Sequence, residues 1–187
     1  MTYKILFLIG LLLFLVGQIL LAQGNDFVYS QEPIDFAHWF LLLGVVLLIP
    51  QVVSFPKTII TYIGFPIALI GITATIGMCV LDFIWWSLPN EELRIEFSKH
   101  IYQAPSIWKP FLSIGPSSKV FNTGLLILSL NYIKNEKLAV ASIVLATLVL
   151  WHIIPLPFRL IIGYALTLLG YSIIFLRNSI KRLGANK

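Results

Sequence analysis

TIITYIGFPIALIGITATIGMCVLDFIWWSL, residues 58–88, holds one acidic side chain, Asp82, and neither Lys nor Arg in 31 positions. In hydrocarbon every backbone amide must be bonded within its own segment, so a run of this kind reads as a helix. At about 1.5 Å per residue it outruns a hydrocarbon core of about 30 Å and must tilt, kink or protrude. Pro66, beside Gly64, is the expected kink. Ala68, Gly71, Ala74 and Gly77 recur every third residue along it. Lipid gives helices no hydrophobic reason to associate, so this ridge of small residues marks a face that another helix approaches closely.

Five more apolar runs flank this one, at residues 5–22, 38–53, 120–133, 138–154 and 158–175. The composition agrees: 58% of the 187 residues are hydrophobic, 11% are charged, and the mean hydropathy is +0.92. No water-soluble domain could solvate such a surface. The expected architecture is all-α, a polytopic transmembrane helical bundle of about six spans forming a single domain over residues 1–187. The first run has the outline of a signal peptide, with Lys4 before an apolar core. Leu20, however, stands where a cleavage site wants a small residue, so the run is read as an anchor. A single cysteine, Cys79, excludes an intrachain disulfide. Gly10 with Gly17, Gly163 with Gly170, and Ser142 with Ala146 are further packing seams.

Residues 89–119 form the one sizeable hydrophilic stretch, read as external. Asn90 is placed to cap a short amphipathic surface helix that puts Leu93, Phe97 and Ile101 on one face and Glu92, Glu96 and His100 on another. Pro105, Pro110 and Pro116 are expected to break the chain after it. With six spans both ends share one side. Lys4, Lys57, Lys134, Lys137, Arg177, Lys181, Arg182 and Lys187 gather there, which makes it cytoplasmic. Trp39, Trp85, Trp86, Trp108 and Trp151 all map to the opposite boundary, where an indole is half buried and its N–H meets water. The expected location is a cell membrane, plasma or inner, with both termini cytoplasmic. Basic turns beside anionic headgroups explain the net charge of +5, so no nucleic acid is invoked. The lipid bilayer is the expected partner, with another membrane protein or a second copy of the chain as further candidates.

Ionisable side chains at membrane depth are costly, and they are the first candidates for function. Asp82 is the only acid inside an expected span. His38 opens the second span and His152 closes the fifth, so the three share a similar depth. Converging, they could hold a divalent metal, relay protons or bind a polar ligand beneath the Trp layer. Apart, they are an interfacial ion pair and two ordinary interfacial rings. No HxxxH or HExxH spacing supports a metal, and no phosphate loop, nucleotide fingerprint or haem motif implies a cofactor. Glu92, Glu96 and His100 at spacing four fit a metal site or simply a solvated face. Gly115, Pro116, Ser117 and Ser118 loosely resemble the serine position of rhomboid-type intramembrane proteases. The Gly after the serine is absent, and the last span offers no histidine as base; helix capping by Ser117 or Ser118 after Pro116 is the preferred account.

Two classes of function follow. One is a small non-enzymatic membrane protein that binds or passes a small ligand, lipid or ion, or supports a membrane complex, with its cavity toward the outer leaflet. The other is an intramembrane metal-dependent or serine hydrolase using Asp82, His38 and His152, with Ser117 as a possible nucleophile.

Overall fold

A computed structural model describes residues 2–114 and 118–185. Gly115, Pro116, Ser117 and Lys187 lie outside the described residues. The chain is an all-α bundle: α1 (Thr2–Leu21), α2 (Asn25–Tyr29), α3 (Phe36–Val53), α4 (Ile59–Ser87), α5 (Glu91–Gln103), α6 (Pro105–Ile107), α7 (Ser118–Ser129), α8 (Lys137–Leu150) and α9 (Arg159–Ala185). A π-helical segment, Trp108–Ile114, follows α6, and a 3-10 turn, Leu130–Tyr132, follows α7. Among the described residues, four helices are long and apolar enough to cross a membrane: α1, α3, α4 and the Arg159–Arg177 part of α9. They mark the chain as an integral membrane protein. Their outward side chains are apolar as well, including Ile9 and Leu12 on α1, Val46 on α3, Ile63 and Ile70 on α4, and Leu169 on α9. Helices that are oily on every side have no stable face for water.

The fourth and fifth apolar runs form shorter helices than their sequence suggests, with 12 residues in α7 and 14 in α8. At α8 the reason is local. Pro155 and Pro157 supply no backbone N–H and disfavour helix before them, so residues 151–154 turn instead. His152 takes a positive φ of 66°, and the N–H groups of Ile153 and Ile154 both donate to the Leu148 carbonyl. Between α5 and α7 the opposite occurs: Pro105 sits in the first turn of α6, where no N–H is needed, and Pro110 falls inside the π segment. The stretch is helical where the prolines alone suggested a broken chain. Pro66 lies inside α4, which is one helix from Ile59 to Ser87.

The main packing partners close a ring. α1 packs on α3, α3 on α4, α4 on α7, α7 on α8, α8 on α9, and α9 back on α1. The contacts run antiparallel: Gly10 meets Gly44 while Gly17 meets Ala37, and Gly64 meets Ile127 while Gly71 meets Phe121. Small residues set the seams. Gly10 and Gly44 meet so closely that a Cβ at Gly10 would stand 2.6 Å from the Gly44 carbonyl oxygen. The expected ridge on α4 faces α7: a side chain at Gly71 would enter the Phe121 backbone, and one at Gly124 would enter Ala68. Gly163 and Gly170 face Leu150 and Ile143 of α8, where the Ser142 hydroxyl also donates to the Leu166 carbonyl at 3.0 Å. At the end of the bundle away from α2 and α5, Thr58 donates to Asn131 at 2.5 Å and the Asn131 amide to Thr61 at 3.0 Å, tying α4 to α7. Each such interhelical bond contributes about 1 kcal/mol or less.

Aromatic rings fill the middle of the ring at this end. Tyr171 is fully buried, with ring centroids of Phe7, Phe175 and Phe55 at 4.8, 5.6 and 6.4 Å, and its hydroxyl donates to the Leu125 carbonyl at 2.5 Å. One step toward the other end, Phe14 packs on Tyr164 at 4.5 Å and on Phe121 at 5.5 Å. Beyond Phe14 the packing opens, and the polar groups of the opposite end begin.

Candidate functional site

At the end of the bundle that carries α2 and α5, the first turn of α3 builds a small electrostatic device. Asp35 is the N-cap of α3. One of its carboxylate oxygens accepts the backbone N–H of His38 at 3.1 Å, and the other lies 2.5 Å from His38 Nδ1. Capping thus fixes the imidazole as well as the helix start. The far ring nitrogen, Nε2, stands 3.2 Å from Asp82 Oδ2, because α3 packs against α4 at that level. One imidazole is therefore held between two carboxylates from different helices. Asp35 is sealed at 2% side-chain exposure, while Asp82 keeps 32%.

Asp82 and His38 line a cavity of about 390 Å³. Its walls are mostly apolar and aromatic, and include Trp85, Trp86 and Trp108. The amphipathic helix expected in the external segment is present as α5, capped by Asn90 Oδ1 on the Leu93 N–H at 2.9 Å. Two of the three expected apolar residues turn to the bundle, Ile101 being buried and Phe97 lining the cavity with Ser98, whereas Leu93 is exposed. Three ties hold α5 there. The Trp85 indole donates to Ser98 Oγ at 3.0 Å, Arg94 Nε donates to the Leu88 carbonyl at 3.1 Å, and the Arg94 guanidinium lies 5.0 Å from the Trp85 ring centroid and 5.8 Å from that of Tyr29. Tyr29 itself packs on Trp85 at 4.3 Å. Burial pushes its phenol above the ordinary range, and the negative charge of Asp82 adds to the shift, so it stays a neutral hydroxyl.

A second, smaller cavity of about 120 Å³ shares Leu21 and His38 with the first and reaches Gln18, Thr75 and Tyr164. A third, about 360 Å³, shares Gln18 and Leu21 with the second and contains His152 and Arg159. Of the three ionisable candidates, His38 and Asp82 meet at the main cavity, and His152, on the exposed turn after α8, lines the third cavity instead. Among the described residues no group of three or more His, Cys, Asp or Glu side chains is placed to hold a metal ion. Glu92, Glu96 and His100 are exposed on α5. Ser117 lies outside the described residues.

Asp35 is a functional residue absent from the sequence-based candidates. The available signal was its spacing: a carboxylate three residues before a histidine, at the point where an apolar run begins, is an N-cap able to reach that ring. Arg94 carries no comparable local signal, and only the folding of α5 over Trp85 shows its position. Some buried polar atoms meet no partner among the described residues: Gln18 Oε1, Gln31 Nε2, Trp86 Nε1 and both amide atoms of Asn122. Comparison with known proteins adds nothing to this picture, since no family model, no curated protein and no solved structure matches the chain.

Proposed function

We propose that this chain is a six-span, single-domain membrane protein that binds a small ligand, without catalysis, in the cavity between His38, Asp82 and the α5 cover. The observation that carries the reading is a cavity of about 390 Å³ with aromatic walls and one polar floor, within the range of small-molecule sites. Holding is favoured over passing because the other end of the ring is filled by Phe7, Phe55, Tyr171 and Phe175. The hydrolase reading is weakened: His152 is removed from His38 and Asp82, and the Ser98 hydroxyl, which also lines the cavity, is already bonded to the Arg94 carbonyl at 2.8 Å. In this reading α7 and α8, though short, complete the six crossings.

Protein purified gently from membranes is expected to carry about one tightly held small molecule or lipid per chain, identified by extraction and mass spectrometry. Leu112→Trp, which fills the cavity from the π segment, should lose it. Equal content in the two proteins sinks the proposal. The orientation is tested separately with an impermeant maleimide, for which the buried Cys79 is silent. Glu96→Cys on α5 should label in intact cells, and Lys134→Cys, in the turn before α8, only after lysis; the reverse pattern inverts the topology.

A further inference from the structure

Resting on the binding reading above, we propose that the cavity receives a primary ammonium group with an oxygen acceptor beside it, taking Asp82 as counter-ion and Trp86 and Trp108 as walls. The charge comes first. Two carboxylates flank a single imidazole, so the set keeps a negative formal charge whether or not the ring is protonated. Both carboxylates line the cavity, but Asp35 is spent on the cap and sealed, and Asp82 is the more accessible of the two. A cation is the ligand that charge calls for, and the cavity is many times the size of a bare ion. Without three ligating side chains in reach of one point, it is better suited to an organic cation. Aromatic rings are the natural walls for one. The fold already shows this preference, since the Arg94 guanidinium rests on Trp85 and Tyr29 just beside the cavity.

Hydrogen bonding narrows the class. Trp86 lines the cavity and its indole N–H has no partner among the described residues, a donor lacking an acceptor. A primary ammonium has N–H groups to give to Asp82; a quaternary ammonium has none. An oxygen next to the nitrogen answers the indole. Arg94 keeps further N–H groups beyond the two it gives to the Leu88 and Trp86 carbonyls, so the rim can take an anionic oxygen. Ethanolamine joined to a phosphate has all these features, whether as a phospholipid headgroup or as a soluble amino alcohol derivative.

The test uses delipidated full-length protein in micelles, with tryptophan emission as readout. It is titrated with phosphatidylethanolamine, phosphatidylcholine and phosphatidylglycerol, and separately with soluble phosphoethanolamine. The expected result is a preference of about tenfold or more for the ethanolamine headgroup, lost in Asp82→Asn and partly kept in Asp82→Glu. Saturable binding of the soluble compound at similar strength assigns the site to a free amine; binding of the lipid alone assigns it to a headgroup. If Asp82→Asn does not fold, Asp82→Ser, which also removes the charge, should show the same narrowing between ethanolamine and choline. Equal binding of choline or glycerol headgroups, or an Asp82→Asn protein with its preference intact, overturns the proposal. Where such indiscriminate binding still disappears in Leu112→Trp, the cavity reading stands and only the ammonium falls. Binding that survives Leu112→Trp removes both.

Discussion

Gly71→Leu is expected to prevent the chain from forming its native bundle, or to lower its thermal midpoint steeply. Gly71 sits where α4 meets α7, and any side chain there would run into the backbone of Phe121. Backbone cannot step aside as a flexible side chain can. Relief requires the two helices to part, which also pulls Gly124 from Ala68 and Asn131 from Thr58 and Thr61. Overpacking a tight contact costs about 1–3 kcal/mol, and a leucine facing main chain belongs at or above the top of that range. The neighbouring Ile70, 60% exposed on the outer surface, provides the control. Size-exclusion thermal stability of Ile70→Leu should match the parent, while Gly71→Leu should aggregate or melt far earlier. Equal midpoints would mean that α4 and α7 do not touch at Gly71.

Tyr171→Ala is the second large effect. Tyr171 is fully buried against Phe7, Phe55 and Phe175, so truncation leaves a void among rings that belong to three parts of the ring of helices. Removing a buried aromatic side chain costs about 3–5 kcal/mol, because the surroundings collapse only partly into the space. Tyr171→Phe keeps the ring and deletes only the hydroxyl that donates to Leu125, for an expected loss of about 1 kcal/mol. Thermal denaturation in one detergent should rank the three proteins parent, Phe, Ala, with the wide gap before Ala. A Phe variant as unstable as Ala would shift the weight from packing to the hydrogen bond.

The helical class and the seams were legible because lipid leaves few solutions. A run such as residues 58–88 must be a helix, and small residues at fixed spacing must face another helix; Gly71 against Phe121 and Gly10 against Gly44 bear this out. Asn90 as a cap was equally readable, being a local hydrogen bond. What escaped depended on contacts far apart in the chain. Depth alone suggested that Asp82, His38 and His152 share a level, but depth says nothing about azimuth around the bundle. Antiparallel packing of α3 on α4 brings the first two together, and the closing of α8 on α9 carries His152 to another side. Helix length was misjudged where hydropathy continued past a structural stop, as at residues 151–154, whose apolar side chains hide a turn set by Pro155 and Pro157.

Because α9 returns to pack on α1, the order of synthesis and the order of assembly cannot coincide. The first helix enters the bilayer with α3 as a companion, yet Phe7 and Phe14 also lean on Tyr171, Phe175 and Tyr164, which emerge from the ribosome more than a hundred residues later. Until then one flank of α1 faces acyl chains or whatever membrane chaperone shelters it. A nascent chain stalled before α9 should consequently be the form most readily captured by insertion machinery and most readily degraded.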